Sequence, residues 1–178
     1  MTPRKDLLAL FDKMEKERIE LLRSLVSHSE ELLLKKPSPD RWSITEVILH
    51  LSKAEEGALK YMKIKLEHGG HQKASLGSWL KQKLLSFAIS LPIKYKAPNV
   101  IKLDETDTGT FSEAVANWAN IRMSLRKEYE MIDEDIIDHE LFKHPAAGKL
   151  SVIQSVKFMR RHVQRHKGQI ERTVKQAG

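Results

Sequence analysis

Leu150-Ser151-Val152-Ile153-Gln154 opens a run that continues through Val156, Phe158, Met159, His162, Val163, His166, Gln169 and Ile170 to Val174. Val152, Val156, Met159, Val163 and Ile170 recur with the period of an α-helix, so one face of this run is apolar. Ser151 followed three residues later by Gln154 is a capping-box start. The run therefore predicts a long amphipathic helix, and with it an all-α fold. His162 and His166 stand one turn apart, so their side chains lie one above the other on the same face. Two imidazoles at this spacing can grip one metal ion at about 2.0–2.1 Å each. A metal site needs at least one further ligand, which must come from elsewhere in the chain.

Composition limits what that ligand can be. The 178 residues suit one domain spanning 1–178 with a real core. Hydrophobic residues at 40% and charged residues at 31% are ordinary for a globular protein and exclude general disorder. With no cysteine, thiolate ligands are excluded and a metal falls to His, Asp or Glu. Met1-Thr2-Pro3-Arg4-Lys5-Asp6 lacks the apolar core of a signal peptide, and no stretch is long enough to span a membrane, so a cytoplasmic location is expected. The net charge of +7 reads first as a solvated lysine-rich surface. Nucleic-acid binding is the sharper reading, but no basic cluster with interleaved aromatics supports it, and none is expected.

The rest of the chain supplies the other helices. Leu7, Leu10, Phe11, Met14, Leu21, Leu22, Leu25, Leu32 and Leu33 form the apolar face of a helix predicted from about Asp6 to Lys36, ended by Pro37 and Pro39. Ser43 and Glu46 form a second capping box, with Trp42 placed to pack on Val47 as a hydrophobic staple. Ile44, Val47, Leu51, Ala54 and Ala58 make the buried stripe of that helix, which fades near Gly69-Gly70. A shorter third helix is expected from Leu76 to Leu91, closed by Pro92. Ile93 to Gly109 has no sustained period and is expected to be a long connection, either a lid beside the site or a disordered segment. Thr110 and Glu113 start another helix, carried by Ala114, Val115, Trp118, Ile121, Leu125 and Tyr129 to Met131. Asp133 to His144 adds a helical turn at most, and no strand is expected. The sum is an up-down four-helix bundle with a short extra helix and long connections.

Of the 8 histidines, His28, His68, His71 and His139 sit in polar contexts and read as surface residues. His144, before Pro145, reads as a turn residue. His50 lies at the edge of the stripe between Val47 and Ala54, facing the core or a cleft beside it. A lone histidine there is ordinarily a satisfied core side chain. An i, i+4 pair is harder to satisfy in a core, and a shared cation is the economical partner. His50 can supply the third ligand if the second and last helices are neighbours, which spacing alone does not establish.

The string Trp42-Ser43-Ile44-Thr45-Glu46-Val47-Ile48-Leu49-His50-Leu51 resembles the second-helix signature of the DinB/YfiT-like superfamily. His144-Pro145-Ala146-Ala147-Gly148-Lys149-Leu150-Ser151, with Phe158, His162, Arg165-His166 and Gln169-Ile170, resembles its last-helix signature. The resemblance covers essentially the whole chain and implies a four-helix bundle with a three-histidine metal site. By motif position the ligands are His50, His162 and His166. Three protein ligands leave a position open to water or substrate. Nickel or zinc is the first expectation for the divalent ion, with manganese and iron also compatible with imidazole. Characterised relatives in that family include thiol-dependent S-transferases and an isomerase that use low-molecular-weight thiols, and others are described as metal-dependent hydrolases. Fold alone does not choose among these.

The leading expectation is therefore a metal-dependent, thiol-dependent S-transferase-like enzyme acting on a small-molecule substrate, the ion holding a thiol cofactor as thiolate. A metal-dependent hydrolase is the alternative, but it requires a general base. Glu46 is explained better as a cap, Glu55 and Glu56 as a solvated helix face, and no catalytic residue is identified. A non-catalytic metal-binding bundle is the third reading. Gln169, one turn beyond His166, is expected to support an imidazole or a metal-bound water from the second shell. A homodimer is expected from the family and from surplus apolar positions on the first helix and around Trp79 to Leu91.

Overall fold

The structure is a computed structural model, and it describes residues 2–69, 71–74, 77, 109–144 and 148–177. Its elements are α1 (Pro3–Arg23), α2 (Glu30–Leu34), α3 (Ile44–His68), α4 (Phe111–Met131), a 3-10 turn at Glu134–Ile136, β1 (Phe142–His144), β2 (Gly148–Leu150) and α5 (Val152–Ala177). Four long helices, α1, α3, α4 and α5, make the bundle. The expected third helix at Leu76 to Leu91 and nearly all of the Ile93 to Gly109 connection lie outside the described residues. No helix among the described residues is long and apolar enough to cross a membrane.

The capping boxes start three of these helices. Ser43 accepts from the Glu46 N–H at 3.1 Å while Glu46 accepts from the Ser43 N–H at 2.7 Å. Thr110 and Glu113 make the same exchange at 3.1 and 2.8 Å. So do Ser151 and Gln154, at 3.3 and 2.9 Å. Each exchange satisfies donors that the first helical turn leaves without an internal acceptor. Gly69 ends α3 with φ of +65°, a backbone conformation that costs a glycine little.

Two hydrophobic clusters fill the bundle. One joins Leu7, Phe11 and Met14 of α1 to Met62 of α3, Tyr129 of α4 and Val156 of α5. The other joins Leu21 and Leu25 to Val47 and Leu51, Trp118, and Val163 and Ile170. The first half of α1 thus meets the second halves of α3 and α4 and the first half of α5. The directions are up, down, down, up. The alternation breaks once, because α3 and α4 run parallel. The end of α3 and the start of α4 therefore lie at opposite ends of the bundle.

Between the clusters lies a layer of buried charge. Arg122 of α4 grips Glu55 of α3 through Nε at 2.5 Å and Nη2 at 2.7 Å, and Trp118 Nε1 donates to the same carboxylate at 2.8 Å. Arg122 Nη1 reaches Glu15 of α1 at 3.2 Å, and Glu15 also pairs with the buried Arg18. Burial alone would pull the Arg122 pKa down, but the charge and hydrogen bonds of Glu55, with help from Glu15, more than offset it and raise the pKa. None of Arg18, Glu55 and Arg122 was expected inside.

Two sequence expectations need correction. The helix expected from Asp6 to Lys36 breaks at Ser24, whose Oγ donates to the Leu21 carbonyl at 2.7 Å. The chain turns through Leu25 to His28, and Ser29 caps the short α2 by accepting from the Leu32 N–H at 3.3 Å. Leu25 and Leu33 are buried all the same, so the apolar spacing continued through a turn. Phe142–His144 and Gly148–Leu150, where no strand was expected, pair antiparallel, Phe142 with Leu150 and His144 with Gly148. Strands of three residues are too short to show a convincing alternation.

Candidate metal centre

His50 enters the bundle from the first half of α3, and His162 and His166 from the middle of α5. Packing of α3 on α5 brings these stretches together. The adjacency that spacing left open is therefore present. His50 Nε2 lies 3.2 Å from His162 Nε2, and His166 Nε2 lies 3.1 Å from the same atom. One ligand atom from each of the three falls within 4.8 Å of the others. His50 and His166 are buried, 3% and 8% exposed, and His162 is half-buried.

The donor set fits a divalent metal ion. Three nitrogens at about 2.0–2.1 Å from a tetrahedral centre stand about 3.3 Å apart, close to the spacings found. The proton count argues in the same direction. Gln169 Oε1 lies 3.0 Å from His166 Nδ1 and can only accept, so with the amide oxygen there the proton of His166 sits on Nδ1 and Nε2 presents a lone pair. Burial, reinforced by the charges of His50 and Arg165 and opposed by the Gln169 hydrogen bond, lowers the His166 pKa from its ordinary 6.5 to about 3. His166 is thus a neutral imidazole at physiological pH. A single N–H at His162 Nε2 can satisfy only one of its two close neighbours. A proton donated by His50 Nε2 would instead leave the lone pairs of His162 and His166 opposed. A cation at the centre meets all three lone pairs at once.

Aromatic rings wall the cluster. The Trp42 ring lies 4.7 Å from His50 and, nearly parallel, 6.5 Å from His166. Phe158 stacks on His162 at 5.8 Å, and Phe142 of β1 packs on Phe158 at 6.3 Å. Trp42 is half-buried against the apolar cluster that contains Val47, in keeping with a staple, and its contact with the imidazoles comes in addition. The sequence signal for Phe158 was present: it precedes His162 by one turn, as His162 precedes His166.

No carboxylate joins the three histidines among the described residues. Glu46 is held by its cap and by Lys36 Nζ at 2.8 Å. Glu56 pairs with Lys60 on the surface, and Glu55 lies in the buried charge layer. Gln169, expected in support, is in contact with His166. His28 is half-buried and His68 is exposed. His71 and His139, expected to be separate surface residues, meet each other, with Nδ1 atoms 2.8 Å apart.

Comparison with known proteins follows the same lines. A family model described as the DinB superfamily matches residues 10–170. An uncharacterized protein, YuaE of Bacillus subtilis (strain 168), is 28% identical over 154 residues, covering 86% of this chain and 90% of YuaE. No solved structure gives a significant match.

Proposed function

The chain belongs to the DinB superfamily, and from that premise we propose that it is a metal-dependent enzyme whose divalent ion is held by His50, His162 and His166. The observation that carries this reading is the convergence of three Nε2 atoms from two helices on one point. Three protein ligands suit a working site better than a purely structural one, which ordinarily takes four. Nickel or zinc is the expected ion, with manganese and iron compatible.

The reaction we favour is transfer to or from the sulfur of a low-molecular-weight thiol, with a small electrophilic substrate. When bound, the ion supplies Lewis-acid chemistry that lowers the pKa of a thiol and yields a nucleophile at neutral pH. Neutral His166 offers its lone pair without first losing a proton. Gln169 fixes the His166 tautomer and ring orientation from behind. Trp42 and Phe158 keep the imidazoles from rotating and shield two of them from water. A hydrolase needs a general base, and Glu46, Glu55 and Glu56 are all held in other contacts, which supports transfer over hydrolysis.

Untagged protein should contain about one ion per chain at this site, and His50→Ala, His162→Ala and His166→Ala should each lose most of it. Stoichiometric retention in all three would overturn the assignment. Thiol consumption with an electrophile should disappear on metal removal and return on reloading. Ester or amide cleavage by the metal form, without thiol activity, would move the reading to the hydrolase. We further propose a cytoplasmic homodimer. Ile64 of α3 and Met123 and Met131 of α4 are 54%, 64% and 69% exposed, and such exposed apolar side chains support this reading. A monomer mass in light scattering over a wide concentration range would exclude the dimer.

A further inference from the structure

We propose that His71 and His139 form a second metal site, taking a divalent transition ion of zinc type through the Nδ1 atom of each ring. The two residues are 68 apart in sequence, and backbone pairing brings them together. The Ala74 N–H donates to the Asp138 carbonyl at 2.9 Å and the Glu140 N–H donates to the Gln72 carbonyl at 2.8 Å, making a short antiparallel ladder in which Lys73 faces His139. In such a ladder residues two apart share a face, so His71 lies diagonally across from His139 on the same side. The rings stand 5.1 Å apart, tilted by 49°, with their Nδ1 atoms 2.8 Å from each other. Both residues are half-buried, which limits competition from water.

With no ion bound, one Nδ1–H donates to the other Nδ1. A shift of that proton to the Nε2 of the same ring frees both Nδ1 lone pairs without loss of a proton from the pair. Two ligands at about 2.0–2.1 Å from a tetrahedral ion stand about 3.3 Å apart, so the Nδ1 atoms must separate by about half an ångström and the rings must turn until both lone pairs meet at the ion. Lys73 shares the ladder face, but it is exposed and its long stem lets the ammonium turn to solvent. Two protein ligands leave the remaining positions to water, so this site is weaker than the three-histidine centre. An ion here would fasten the segment leaving α3 to the segment entering β1.

Zinc titration of the full-length protein tests this. Wild type should take up two ions per chain in two resolved steps. His71→Gln and His139→Gln should each abolish the weaker step and leave the tighter one unchanged, whereas His162→Ala should remove the tighter step alone. Imidazole 15N shifts provide a second readout. Zinc in the weaker step should move Nδ1 of His71 and His139, while the three-histidine centre responds at Nε2. Zinc uptake in which no step is lost in either glutamine variant overturns the proposal. Because the weaker step is read independently of His162, failure here and failure of the three-histidine assignment are distinguishable.

Discussion

His166 has two structural roles. It occupies a core position of α5 between Val163 and Ile170, and it presents a lone pair to His162. Burial keeps it neutral, with a pKa of about 3 against an ordinary 6.5. The consequence for stability has a definite sign. Between those values the unfolded chain binds a proton that the folded chain excludes, so the metal-free protein loses stability as pH falls from about 6.5 towards 3, by up to about 1.4 kcal/mol per pH unit from this residue. Urea midpoints of wild type and His166→Gln across that window should diverge in slope, with the variant flatter. Parallel curves would mean that His166 is protonated in the fold. Gln169 acts through His166, so Gln169→Ala should weaken metal affinity by about 10–100-fold, the usual effect of losing a hydrogen bond behind a ligand, and leave the helix content unchanged. Competition with a chelator of known affinity measures this, and an unaltered constant would make Gln169 a bystander.

Helices whose ends carry side-chain chemistry were legible in the sequence. Ser43, Thr110 and Ser151 each marked a start that the structure keeps, because a capping box is a local exchange needing no tertiary partner. The HxxxH of α5 was legible for the same reason, and the chain direction then brought His50 to it. Features made by distant segments were not legible. Nothing local marks Arg18, Glu55 and Arg122 as interior, since each looks like a charged gap in an apolar stripe until four helices are assembled. The His71–His139 contact is of the same kind. The buried layer has a strong expected signature. Arg122→Met leaves the Glu55 carboxylate buried with Trp118 as its remaining hydrogen-bond partner among the described residues and should cost about 3–5 kcal/mol. Adding Glu55→Gln should recover much of that loss, because the cost lies in the unpaired charge. Chemical denaturation of the two single variants and the double variant tests this. Additive losses would show that the pair contributes through packing instead.

At the scale of the molecule, the metal centre and the core are only loosely dependent on each other. Both apolar clusters close without the three imidazoles, the capping boxes form within their own helices, and the charge layer is satisfied by protein groups. Metal-free protein should therefore keep its helical circular dichroism and unfold cooperatively. Metal should still raise the unfolding temperature, since an ion that binds only the folded chain stabilises it by mass action. The gain is about 2.7 kcal/mol when free metal is 100 times its dissociation constant and about 4.1 kcal/mol at 1,000 times. For a chain of this size each kcal/mol moves the midpoint by about 2–4 °C, so the first condition corresponds to a rise of about 5–11 °C. The rise should grow with the logarithm of free metal and shrink in His50→Ala, where α5 alone contributes ligands to this centre, leaving at most the smaller rise of the weaker His71–His139 step. A metal-free protein without helical signal would instead place the ion among the groups that hold the bundle together. That outcome would favour a structural role for the three histidines over a catalytic one.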